Sequence, residues 1–102
     1  MSSNGIPENI NFLVYLQNLI DQRKVEMPQG SYTSGLFQKG LNDIARKVGE
    51  EAVELVIESS GSNDDFFLNE AADLIYHLLV LLSARNYRIE DVVEVLKLRH
   101  KK

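Results

Sequence analysis

Two short acidic runs, Glu50-Glu51-Ala52-Val53-Glu54 and Glu70-Ala71-Ala72-Asp73, are set into stretches that are otherwise apolar and strongly helix-forming. In a helix, residues three or four apart share a face. Glu51 therefore projects beside Glu54, Glu70 beside Asp73, and Glu50 joins through its four-residue spacing to Glu54. Like charges placed this way repel. Each pair costs an isolated helix roughly 0.2–0.5 kcal/mol, and more where water is excluded, so two such pairs call for a compensating cation or for a purpose other than stability.

The rest of the chain supplies helices to carry them. Pro7-Glu8 opens a first helix with Ile10, Leu13, Val14, Leu16 and Ile20 at helical spacing, ending near Arg23-Lys24. Pro28, Gly30, Gly35 and Gly40 mark Val25 to Gly40 as a long loop with one short helical turn around Thr33 to Gln38. Loops of more than about 12 residues in a small domain are often binding elements. A second helix runs from Leu41 or Asn42 to Ser59, with Ile44, Val48, Ala52, Leu55 and Val56 as its apolar stripe. Asn63 or Asp64 caps a third, Asp65 to about Arg85. There Phe66, Phe67, Leu74, Ile75 and the run Leu78 to Leu82 leave almost no polar face, so burial nearly all round is expected. Asn86 suits the left-handed conformation that ends a helix, and Ile89 to about Arg99 forms a fourth with Val92, Val93, Val95 and Leu96 inward.

No strand signal is present. The expected architecture is all-α, a four-helix bundle in a single domain over residues 1–102, with residues 1–7 as a flexible arm. Three other helices of this size cannot surround the third one, so a homodimer is expected to complete the bundle.

Composition narrows the function classes. With 102 residues, 44% hydrophobic and 25% charged, the chain makes one compact domain. The absence of Cys removes disulfides, thiolate metal sites and thiol nucleophiles, which suits a cytoplasmic protein. The start, Met1-Ser2-Ser3-Asn4-Gly5, lacks the basic and apolar segments of a secretion signal. The longest uninterrupted apolar run, Leu78 to Leu82, falls short of the roughly 20 residues that cross a bilayer, so no membrane association is expected. A net charge of −4 argues against nucleic acid as a partner.

Four or five carboxylates without Cys favour a hard cation, Mg²⁺ or its substitute Mn²⁺, over Zn²⁺ or Cu. A di-iron bundle wants Glu-x-x-His pairs, whereas His77 lies four residues after Asp73. Mg²⁺ is commonly held by a few carboxylates plus the phosphates of a substrate, which points to phosphoryl or nucleotidyl chemistry.

Lys47-Val48-Gly49-Glu50-Glu51-Ala52-Val53-Glu54 and Glu70-Ala71-Ala72-Asp73-Leu74-Ile75-Tyr76-His77 together resemble the phosphoribosyl-ATP pyrophosphohydrolases, one branch of the all-α, MazG-like nucleoside triphosphate pyrophosphatases. Ser31-Tyr32-Thr33, Lys39-Gly40-Leu41, and Glu90-Asp91-Val92 through Arg99-His100 extend the likeness over nearly the whole chain from Leu13. The resemblance implies hydrolysis of phosphoribosyl-ATP between its α and β phosphates, giving phosphoribosyl-AMP and pyrophosphate, the second step of histidine biosynthesis. It implies Mg²⁺ on Glu51, Glu54, Glu70 and Asp73, with Glu50 or Glu51 as general base. Phosphate contacts would come from Lys47, Arg23, Lys24 and Lys39 and from the hydroxyls of Ser31, Tyr32 and Thr33, and the long loop would close on the nucleotide. With one domain only, the following ring-opening activity is expected on another chain.

Each of these readings has a plainer competitor. The acidic stripe can be a solvated helix face, and Lys47 can simply pair with Glu50 or Glu51. His77 can be a hydrogen-bonded core histidine or a group supporting a ligand, and Arg23 and Lys24 suit a helix C-terminus regardless of substrate. Two other functions use the same residues: a housekeeping (d)NTP pyrophosphatase, and a non-enzymatic helical dimer with a structural cation. In departure from the family pattern, Arg88 stands where a capping Ser or Thr is common, leaving that helix end in question. Gly35 suggests a loop that is mobile when empty.

Overall fold

A computed structural model describes Asn9 and residues 12–101. Its five helices run α1 (Phe12–Glu26), α2 (Tyr32–Lys39), α3 (Leu41–Ser59), α4 (Asp64–Ala84) and α5 (Ile89–Arg99), with no strand among the described residues. The all-α expectation holds, with five helices in place of four. The expected opening at Pro7-Glu8, Ile10 and the N-terminal arm lie outside the described residues.

The extra helix is α2, where the glycines and Pro28 had suggested a loop. Ser31 caps it by accepting from the Ser34 N–H at 3.1 Å, and Thr33, Ser34 and Leu36 are buried beneath it. Gly35 lies inside this helix, donating to the Ser31 carbonyl at 3.1 Å, so the segment is a packed element and not an open loop. A good cap and a buried apolar side have overridden the modest helix cost of one glycine.

Helices α3 and α4 form the long antiparallel hairpin, 19 and 21 residues, against which α1 and α2 pack. Asn63 caps α4 by accepting from the Phe66 N–H at 3.0 Å, as its sequence position predicts. Asn86 takes the left-handed conformation after α4, with φ 66°. The buried core is small: Ile20, Leu36, Ile44, Leu79 and Val80, one or two residues from each of the first four helices. Gln17 is as deeply buried as any of them. Its amide donates to the Leu79 carbonyl at 3.2 Å and its oxygen accepts from the Ile89 N–H at 2.9 Å, tying α1 to α4 and α5.

Several burial expectations need correction within one chain. Helix α4 is not buried all round: Phe66, Leu68 and Ile75 are exposed. Val56 on α3 is 69% exposed, and α5 buries no residue, so Val93, Val95 and Leu96 are open where they were expected inward. A second correction concerns length. Asp64–Ala84 is, by length and composition, long and apolar enough to cross a membrane, with a mean hydropathy of 1.4. Counting only uninterrupted apolar residues missed this, because a few scattered acids leave such a window apolar on average.

The end of α5 needs no Ser or Thr. The Asp91 carboxylate accepts from the Arg88 N–H at 2.9 Å, which is half of a capping box. The Arg88 guanidinium reaches back to Asp21 on α1 at 2.7 Å and to Asn18 at 2.6 Å. Arg88 thus fastens α5 to α1 while Gln17 satisfies the next N–H.

Candidate active site

The facing stripes of α3 and α4 bring three acids to one point. One carboxylate oxygen each from Glu51, Glu70 and Asp73 lie within 4.8 Å of one another. Glu51 is buried, Glu70 half-buried and Asp73 exposed, so the cluster opens to solvent on one side. Glu54 belongs to the same group through Glu70. The hydrogen bond between these two carboxyls is the largest cause that lifts the Glu70 pKa to about 7, followed by desolvation and by the charges of Glu54 and Glu51. Two carboxylates cannot hydrogen-bond unless one keeps a proton, so without a cation this site stores a proton near neutral pH.

A metal fits this donor set. Glu51 Oε1 and Glu70 Oε1 are both buried and lack a hydrogen-bond partner. Buried carboxylate oxygens are costly to leave unpaired, and oxygen donors from three or four acids with an open side match a hard divalent cation that also binds waters or phosphates. Glu50 is not drawn in. It is exposed and lines a shallow groove with Arg46, Gly49, Val53 and Glu54 on the flank of α3.

Lys47 stands one turn before Glu51 and reaches its Oε2 at 3.5 Å. Burial alone would depress the lysine, but the neighbouring Tyr32 and Glu51 outweigh it and hold its pKa above the ordinary value. The Tyr32 phenol is itself pushed up, chiefly by burial, with Lys47 opposing.

His77 has a contact on each of its ring nitrogens. Its Nδ1 lies 2.7 Å from the Asp73 carbonyl oxygen, which can only accept, so Nδ1 carries the proton. In that tautomer Nε2 accepts from the Tyr32 hydroxyl at 2.7 Å. Both nitrogens are spoken for, which leaves a histidine-ligated di-iron arrangement without its imidazole. The link also joins the first residue of α2 to the Asp73 turn of α4. A second link lies beside it, between the hydroxyls of Thr33 and Tyr76. Tyr76 thus joins Tyr32 and Thr33 in lining a cavity beside α1; its one signal in the sequence was its place next to His77.

The three other cations expected at the phosphates divide. Arg23 borders a cavity of about 290 Å³ together with Ser31, Tyr32, Thr33 and Tyr76. Lys24 is committed elsewhere: its Nζ donates to the Ser83 carbonyl at 2.5 Å and to Asn86 Oδ1 at 2.7 Å, tying α1 to the end of α4. Lys39 is exposed at the far end of α2, seven residues and about 10 Å of helical rise from Tyr32. Arg88 serves the α1–α5 junction described above.

Residues 13–100 match the family described as phosphoribosyl-ATP pyrophosphohydrolase. Among curated proteins, the chain is 55% identical over 93 residues to the histidine biosynthesis bifunctional protein HisIE of Bacteroides thetaiotaomicron, an alignment covering 91% of this chain and 46% of that protein. It is 49% identical over 90 residues to the HisIE protein of Xylella fastidiosa strain Temecula1, covering 88% and 44%. With HisIE of Bacillus subtilis it shares 47% identity over 85 residues, covering 83% and 41%. The chain thus spans somewhat under half the length of the curated relatives it matches.

Proposed function

The chain belongs to the phosphoribosyl-ATP pyrophosphohydrolase family, and we propose that it hydrolyses phosphoribosyl-ATP to phosphoribosyl-AMP and pyrophosphate in histidine biosynthesis. The observation that carries this reading is the convergence of Glu51, Glu70 and Asp73, with two buried oxygens left unpaired, on a chain of that family.

Mg²⁺ or Mn²⁺ would be held by Glu51, Glu70 and Asp73, with Glu54 joining through Glu70. Such an ion supplies Lewis-acid chemistry, neutralising triphosphate charge and making water more acidic. The protein's own groups do the remainder. Water adds to the α phosphorus, the bond from that phosphorus to the oxygen bridging toward the β phosphorus breaks, and pyrophosphate leaves with that oxygen. Glu51, buried and held by Lys47, is better placed than Glu50 to take the proton from water. Lys47 also faces the site with a full charge and can meet a phosphate oxygen once Glu51 turns to other work. Tyr32 and His77 hold α2 against the acid face, so Ser31, Tyr32 and Thr33 stay beside the nucleotide instead of closing over it.

A homodimer covering Val53, Val56, Ile57, Phe66 and Leu68 accompanies this proposal. So do a cytoplasmic location and the absence of nucleic-acid and membrane partners. The test is a substrate panel: phosphoribosyl-ATP, ATP and deoxynucleoside triphosphates, each with Mg²⁺, with products identified by chromatography. Selective conversion of phosphoribosyl-ATP to phosphoribosyl-AMP is the expected result. Preference for ordinary triphosphates would move the protein to the housekeeping class, and no turnover of any of them would leave a structural cation site.

A further inference from the structure

The cavity between α1 and the start of α2 has a composition that the acid cluster does not explain. Arg23, Ser31, Tyr32, Thr33 and Tyr76 line it beside apolar residues of α1, and no carboxylate is among them, in a protein whose net charge is −4. Thr33 is only 4% exposed. Its hydroxyl and that of Tyr76 contact each other, and two O–H groups joined by one hydrogen bond leave one O–H proton uncommitted. Neither hydroxyl has another side-chain or backbone acceptor among the described residues. At the same place Ser31 occupies only the Ser34 and Gly35 N–H groups. Those of Tyr32 and Thr33 have no backbone acceptor among the described residues, at the positive end of α2. The guanidinium, a buried spare hydroxyl proton and free amides are all donors.

Tyr32 is the shared wall. Its ring borders this cavity, and its hydroxyl is hydrogen-bonded to His77, one turn from Asp73 on the acid face. One molecule can therefore reach both places. Resting on the function proposed above, the substrate carries a triphosphate and, on its phosphoribosyl arm, a separate phosphate monoester. The acid face accounts for the first of these and offers nothing to the second.

We infer that the α1–α2 cavity binds the phosphate monoester of the phosphoribosyl arm, with Arg23 as its main charge partner, and so distinguishes this substrate from an ordinary nucleoside triphosphate. A volume of about 290 Å³ has room for a phosphate with part of its sugar.

The test compares phosphoribosyl-ATP with the same molecule after removal of the monoester, in the wild type, Arg23→Gln and Thr33→Val. In the wild type the monoester is expected to lower KM. In Arg23→Gln that KM advantage shrinks about 10- to 100-fold, the scale of a lost charge-assisted hydrogen bond, with a much smaller change in kcat; Arg23→Lys restores part of it. Thr33→Val, nearly the same shape, shrinks the advantage less. A wild type that turns over both substrates with equal KM, or an Arg23→Gln protein with undiminished preference, overturns the cavity assignment and leaves the proposed function standing. Failure of the wild type to hydrolyse either substrate overturns the function itself.

Discussion

Gln17 is fully buried and holds three helices together, so replacing it with Met, which has nearly the same length and volume, isolates the polar contribution. In the native protein its oxygen accepts from the Ile89 N–H at 2.9 Å, and its amide donates to the Leu79 carbonyl at 3.2 Å. The Leu79 carbonyl retains its partner within α4, but the Ile89 N–H is the first of α5 and has no carbonyl of its own. Stranding it costs about 1–3 kcal/mol, and the lost amide bond adds about 0.5–1.5 kcal/mol, so a loss of about 2–3 kcal/mol is expected. At about 4–8 °C per kcal/mol for a domain of this size, Tm falls by about 10–20 °C. Because α5 buries no residue, its amides should also exchange with solvent much faster than those of α3 and α4. Urea denaturation and hydrogen exchange on Gln17→Met read both effects. A loss below about 0.5 kcal/mol, the scale of an ordinary surface substitution, with α5 protection unchanged, would show that Gln17 does not hold the three helices together.

Cation binding should expel a proton from the acid cluster. Glu70 has a pKa of about 7, above the ordinary carboxyl value, so it is mostly protonated below that pH and must lose the proton to bind. Binding at pH 6 then releases about 0.9 proton and at pH 8 about 0.1, and apparent affinity falls toward tenfold per unit as pH drops below 7. Calorimetry in buffers of different ionisation heat counts these protons, and release that does not vary with pH contradicts the shared proton. The ring of His77 should show the Nδ1–H form in ¹⁵N NMR, and Tyr32→Phe should keep that form while weakening the α2–α4 contact by about 0.5–1.5 kcal/mol. An Nε2–H ring would reverse the assigned hydrogen bond. Val56→Asp, at a site 69% exposed in one chain, should convert the proposed homodimer to monomer in light scattering. A variant that stays dimeric would place the interface on another face.

Helix positions were legible because the apolar spacing and the caps agree: Asn63 starts α4 and Asn86 ends it, as their residue types suggest. The acid cluster was legible for the same reason, since spacing within each helix places Glu51 with Glu54 and Glu70 with Asp73. Spacing alone could not tell that Glu50 stays on the flank, because that depends on how α3 rotates against α4. Helix α2 was obscured by its glycines and by Pro28; its stability comes from the Ser31 cap and from burying Thr33, Ser34 and Leu36, which only the fold reveals. The two lysine or arginine residues ending α1 look alike in sequence yet part company, Lys24 to the end of α4 and Arg23 to the cavity. Apolar residues of α4 and α5 were assigned inward on pattern alone, but one chain is too small to cover them. That surface is the one the proposed homodimer would cover.

The most direct test of the proposed activity and its site is Mg²⁺-dependent pyrophosphate release from phosphoribosyl-ATP by the wild type, Glu51→Gln, Glu70→Gln and the surface control Glu94→Gln. Turnover is expected from the wild type and the control, with losses of roughly 100-fold or more in the two cluster variants, which remove oxygens that converge within 4.8 Å. Turnover retained in both cluster variants, with folding intact, would contradict that site and put the chemistry elsewhere on the molecule.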